Sequence, residues 1–115
     1  MPTISFLFFS GPYQSESPET TVELARAALQ KGMKVKIFCY MDAVNCVKVG
    51  QKKVPGVMNI EEQFRELIAE GAEVRLCTLC MLVRGTKTFV EGARRAGTPD
   101  IADMVEESDR VLVIS

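Results

Sequence analysis

The chain's 115 residues include four cysteines and no histidine. Without an imidazole there is no Cys-His or Ser-His catalytic pair and no zinc site that needs one. Chemistry therefore falls to thiols, carboxylates, hydroxyls, amines and backbone dipoles. Two of the cysteines stand in the run Cys77-Thr78-Leu79-Cys80-Met81-Leu82-Val83-Arg84-Gly85, a C-x-x-C followed by an arginine and a glycine. The run leaves a strand pattern and opens a short helix. A thiol at a helix N-terminus meets unpaired N–H groups and the positive end of the dipole. Both favour the thiolate, the form that attacks sulfur or exchanges disulfides. On a regular helix Cys80 lies four residues before Arg84 and Cys77 seven, so all three share one face. A guanidinium there would further favour a thiolate or a persulfide anion.

Plainer readings stand beside this one. Cys39, inside a strand pattern, and Cys46, on a short helix, read as small buried hydrophobes. Arg84 reads equally well as a cap on the negative end of its helix before Gly85. The C-x-x-C could be a thioredoxin-like redox pair, although the cis-proline context of that fold is not evident. It could also be half of a four-cysteine zinc site with Cys39 and Cys46, whose separation is wider than usual for paired ligands. Ser10-Gly11-Pro12 has no phosphate cradle, and no G-x-G-x-x-G follows the first strand. Asp42 reads as a helix cap. The pairs Glu61-Glu62 and Glu106-Glu107 read as solvated helix surface, and Met41, Met58, Met81 and Met104 as core or subunit contacts.

Residues 3–9 are a short apolar run ended by Ser10-Gly11-Pro12, the pattern of a buried strand. Ser17-Pro18-Glu19 predicts a helix start, with Ser17 as N-cap and Pro18 in the first position. Val22, Ala25 and Leu29 recur at helical spacing until Gly32. Residues 33–40 predict a second strand, and Asp42 a cap for a short helix over 43–49, closed by Gly50. Residues 51–57 form a loop. Asn59 and Glu62 match a capping box, and Ile60, Phe64, Leu67 and Ile68 form the apolar stripe of the helix they start. Residues 73–76 predict a third strand. Thr98-Pro99-Asp100 opens a last helix with Ile101, Met104 and Val105 inward, and residues 110–114 close the chain as a strand.

Strands alternating with helices predict a single α/β domain over residues 1–115. Its sheet is mostly parallel, of four or five strands, with helices on both faces. Four strands can be assigned and a fifth cannot be placed. In such sheets ligands bind beyond the carboxyl ends of the strands, where the order reverses. A flavodoxin-like order would bring the loops after strands one and three, residues 10–15 and 77–80, to that crevice.

Hydrophobic residues make up 47% and charged residues 25%, the balance of a globular domain with a core of its own. A net charge of −1 argues against nucleic acid as the main partner, although Arg94 and Arg95 form a local basic pair. The apolar run Phe6-Leu7-Phe8-Phe9 is far shorter than the ~20 residues of a membrane span. No basic segment precedes it, so the sequence predicts no secretory signal, no membrane partner and a cytoplasmic protein with reduced thiols.

The motif Cys77-x-x-Cys80-Met81-x-x-Arg84-Gly85, at the end of a third strand, resembles the cysteine motif of the DsrE/DsrF family. Asp42-Ala43-Val44, Gly50-Gln51, Pro55, Asn59-Ile60, Gly92, Arg94 and Arg95 fit the pattern of its small stand-alone members, so the resemblance spans nearly the whole chain. It implies a parallel α/β domain that assembles as a homotrimer or homohexamer, or with paralogues. It also implies sulfur relay. Cys77, eight residues before Gly85, matches the cysteine that accepts sulfur as a persulfide from a donor protein and passes it to an acceptor protein, without a cofactor. Cys80 is an addition relative to single-cysteine relay subunits. A second thiol there could release the bound sulfur as sulfide by closing a Cys77–Cys80 disulfide.

Overall fold

The computed structural model describes residues 2–115. Strands β1 (Thr3–Phe8), β2 (Lys34–Cys39), β3 (Glu73–Cys77), β4 (Arg94–Ala96) and β5 (Arg110–Ile114) form one sheet in the order β4-β3-β2-β1-β5. Every neighbouring pair is parallel. Between them run helices α1 (Ser17–Gln30), α2 (Ile60–Ala69), α3 (Thr78–Arg84) and α4 (Pro99–Glu107), with a 3-10 helix over Met41–Val47.

The strand order dictates the layers. From β1 to β4 each connection steps to the next strand in one direction, and right-handed crossovers then put the intervening helices on one face. The connection from β4 to β5 returns across the sheet, so α4 lies on the other face. Side chains follow this division, since neighbours along a strand point to opposite faces. Phe8 of β1 stacks on Phe64 of α2, ring centroids 6.1 Å apart and 9° from parallel. Ser5 and Lys36, in register across β1 and β2, reach instead to Ser108 and Glu107 at the end of α4. Phe6, Phe8, Ile37, Phe64, Leu67 and Leu76 are all fully buried. The core therefore sits between the sheet and α1–α2.

This is not the flavodoxin order 2-1-3-4-5. β2 lies between β1 and β3, so the loops after β1 and β3 are not neighbours at a reversal point. The cysteine run meets instead the segment that leaves β2. The strand missing from the sequence reading is β4, three residues of Arg94-Arg95-Ala96 at the sheet edge. So short and charged a segment carries no alternation to detect, and a short charged edge also discourages pairing with other chains.

Several local expectations shift. Ser17 is the first residue of α1 rather than its cap, and its hydroxyl donates to the carbonyl of Ser115. Asp42 lies inside the 3-10 helix, whose N-cap is Tyr40. Asn59 caps α2 as expected, its Oδ1 accepting the N–H of Glu62 at 2.9 Å. The reciprocal half of the box is replaced, because the Glu62 carboxylate pairs with Lys53. Neither acidic pair is simply solvated: Glu61 binds the backbone of Gly50 and Gln51, and Glu107 binds Lys36. On α4 Met104 is buried while Val105 faces out.

Candidate functional site

β3 ends in Cys77, and the chain turns there directly into α3. Cys77 is the N-cap of that helix, at φ −63° and ψ 116°, and its Sγ accepts the N–H of Cys80 at 3.5 Å. A thiol thus fills the place that a serine or aspartate oxygen usually takes at a helix start. The other end of α3 is stopped by Gly85 at φ 66°, with the N–H of Thr86 closing on the carbonyl of Met81 at 3.0 Å. Thr78 ties the helix to the sheet edge through its hydroxyl, which donates to the carbonyl of Ala96 at 3.1 Å. Both ends of a seven-residue helix are therefore fixed. In so short a helix the aligned dipole is small, and what reaches the thiols is individual N–H groups.

The two cysteines come together. Cys77 is 2% and Cys80 7% exposed, and the Cys80 N–H on Cys77 Sγ holds the two thiols close together. Cys80 Sγ also accepts the backbone N–H of Met41 at 3.1 Å. Burial pushes the Cys80 thiol above its ordinary value and the neighbouring Cys77 thiol adds to this; the Met41 N–H and Arg84 pull it part of the way back.

Arg84 does not hydrogen-bond to either thiol. Its Nε donates to Asp42 Oδ1 at 2.5 Å and its Nη1 to the carbonyl of Cys80 at 3.3 Å. It thus binds a carbonyl one turn back in its own helix rather than the free carbonyls at the helix end, and acts on the thiols only through its charge. Asp42 in turn holds the guanidinium firmly protonated.

Two residues of this site were not found as such in the sequence. Met41 carries a positive φ of 53°, rare for a side chain of its kind. Asp42 carries the local signature of a helix cap, and its partner lies 42 positions away. No local spacing signals either contact. The glycine after β1 has a related purpose: a Cβ on Gly11 would stand 3.2 Å from the carbonyl oxygen of Asp42, so the loop after β1 closes against this turn.

Cys39 and Cys46 remain apart from this chemistry. Both are fully buried, and burial raises both thiols far above the thiolate range. Cys46 donates to the carbonyl of Ser10 at 3.5 Å. Among the described residues no three Cys, Asp or Glu side chains gather as metal ligands, so the four-cysteine zinc arrangement does not form. No helix there is long and apolar enough to cross a membrane. The thiols line none of three larger clefts: about 360 Å³ between the sheet and α4, about 470 Å³ beside Tyr13 and Met58, and about 440 Å³ along the start of α1. They lie next to surface instead, on a helix whose Leu79, Leu82 and Val83 are 67%, 69% and 69% exposed.

A five-stranded parallel α/β domain with a dithiol at the junction of β3 and α3 is the class that fold and site define. Within it, the chain belongs to the DsrE/DsrF-like family, whose model matches residues 3–114. Members of that family act in sulfur relay. The chain is 36% identical over 113 residues to an uncharacterized protein of Methanopyrus kandleri, covering 95% of this chain and 91% of that one. It is 34% identical over 103 residues to an uncharacterized protein of Methanocaldococcus jannaschii, covering 88% and 90%. The crystal structure of the ychN protein from E. coli superposes with a TM-score of 0.92 at 29% identity, over 99% of this chain and all of that one.

Proposed function

We propose that the protein handles sulfane sulfur, with Cys77 as the residue that accepts it. The observation that carries this reading is the placement of Cys77: a strand-end thiol that caps α3, receives the backbone N–H of a second cysteine, and lies beside exposed apolar surface. The Cys77 thiolate attacks the outer sulfur of a donor persulfide. A new S–S bond forms on Cys77, the donor S–S bond breaks, and the donor leaves as a thiolate. An acceptor thiolate then takes the same sulfur and returns Cys77 to its starting state. Neither step needs an oxidant, a metal or another cofactor.

The absence of the cysteines from the larger clefts favours donor and acceptor proteins over a small substrate enclosed in a pocket. Leu79, Leu82 and Val83 offer the apolar contact such partners, or further copies in a homotrimer or homohexamer, would use. A cytoplasmic setting would keep the thiols reduced.

A dithiol reading has one observation of its own, the Cys80 N–H on Cys77 Sγ, which sets the second thiol close to the first. There the Cys80 thiolate attacks Sγ of the Cys77 persulfide, hydrosulfide leaves, and a disulfide remains that an external dithiol must reduce. One experiment separates the two. Wild type, Cys77→Ser and Cys80→Ser protein are incubated with a persulfide donor, and the modified cysteines are mapped by mass spectrometry. Relay predicts one added sulfur on Cys77 in wild type and in Cys80→Ser. The dithiol route predicts disulfide and sulfide in wild type, with added sulfur persisting only in Cys80→Ser. An unmodified Cys77 in both proteins rejects the sulfur-handling function.

A further inference from the structure

The turn that follows β2 is fastened to the cysteine helix at two points, and the arginine of the second is itself tied to its helix. The N–H of Met41 lies on Cys80 Sγ at 3.1 Å, Asp42 Oδ1 on Arg84 Nε at 2.5 Å, and Arg84 Nη1 on the carbonyl of Cys80 at 3.3 Å. Met41 makes its contact from the left-handed region, at φ 53°. Residues other than glycine hold that conformation only where the surroundings enforce it, and such residues cluster at functional sites. Here the enforcement is visible on both sides: the ion pair of the next residue to α3, and the close approach of Gly11 to the carbonyl of Asp42.

We propose that Met41 and Asp42 are positioning residues of the thiol pair. The Asp42–Arg84 ion pair locks the turn against α3, and the lock keeps the Met41 N–H on Cys80 Sγ, so that Cys80 stands beside Cys77 with a donor already in place for its anion. This rests on the functional reading above only in taking the pair as the working site, and it serves relay and dithiol chemistry equally. The charged and titratable groups acting on Cys80 are Cys77 from the end of β3 and Arg84 from its own helix, the latter held by Asp42 from the turn. Burial and Cys77 disfavour the Cys80 thiolate, while the Met41 N–H and Arg84 favour it. Releasing the turn removes the N–H donor, so Cys80 should ionise at higher pH.

The test reads alkylation rather than sulfur loading, so it can fail or succeed independently of the relay. In a Cys77→Ser background Cys80 is the remaining thiol of the pair, and its reaction with iodoacetamide is followed by peptide mass spectrometry from neutral to alkaline pH. Asp42→Ala should slow alkylation of Cys80 at neutral pH by roughly three- to tenfold, the effect of half a unit to one unit in pKa. Its pH midpoint should rise, and Asp42→Glu should recover part of the rate. Asp42→Asn retains an acceptor for Arg84 without the charge and should fall between; it carries the test if the alanine variant does not fold. An unchanged profile in the folded variants overturns the proposal. So does a downward shift, which would mean that a freed Arg84 moves onto the thiol.

Discussion

Replacing Glu61 by glutamine removes a charge from a point where three segments meet. Glu61 Oε1 accepts the N–H groups of Gly50 at 3.0 Å and Gln51 at 2.9 Å, and Oε2 accepts Arg65 Nη2 at 2.7 Å. Its side chain is only 13% exposed. Gln51 continues the connection, its Nε2 donating to the carbonyls of Asn45, Cys46 and Lys48 at the end of the 3-10 helix. Glu61 thus anchors the far end of the segment that begins with Met41 and Asp42. A hydrogen bond to a charged group contributes about 1.5–3 kcal/mol and a neutral one about 1 kcal/mol. Gly50 is partly open to solvent, so the lower figure applies. Two bonds weakened from charged to neutral lose about 1 kcal/mol, and the lost pair with Arg65 adds about 0.3–0.5 kcal/mol. The expected cost is about 1.5 kcal/mol of a total near 5–15 kcal/mol.

The pH dependence identifies the cause. Burial opposes the Glu61 charge, but Arg65 and the N–H groups of Gln51 and Gly50 outweigh it, and the carboxyl titrates below its ordinary value. A depressed carboxylate stabilises the fold above its unfolded pKa, and the contribution disappears as pH falls through the folded value. Urea denaturation of wild type and Glu61→Gln should therefore show the full gap at about pH 7 and nearly none at about pH 3, with equal slopes. A gap that persists undiminished in acid, or no gap at neutral pH, would refute the reasoning.

Phe64→Ala removes the ring stacked on Phe8 from a fully buried site and should cost about 3–5 kcal/mol, read as a lower denaturation midpoint. Gly92→Ala should cost about 1–3 kcal/mol: φ is 97°, and a Cβ would stand 2.7 Å from Ile68 Cγ2. Thermal unfolding checks it, and an unaltered midpoint would count against the strained turn. Met41→Gly relieves the left-handed backbone but adds freedom to the unfolded chain, so its stability should stay within about 1 kcal/mol of wild type. Met41→Ile, stiff at its β-carbon, should fall about 1–2 kcal/mol below it in the same denaturation experiment.

The amino-acid sequence determined the alternation of strands and helices, the start of α2 at Asn59, and the cysteine run at the end of β3. Each of these is written in near neighbours: an apolar period, a cap, a short motif whose thiol folds back on the next turn of its own helix. What tertiary structure decided is of another kind. It set the order β4-β3-β2-β1-β5, which placed the cysteines beside the turn after β2 rather than the loop after β1. It recruited Arg94–Ala96 as an edge strand through pairing with β3. It gave Arg84 to Asp42 instead of a thiol, and it turned Glu61 from helix surface into a clamp on the chain. These contacts join residues from different elements, ten to some forty positions apart. Local propensity carries no record of them, because they exist only once the core has brought the ends of β2 and β3 side by side.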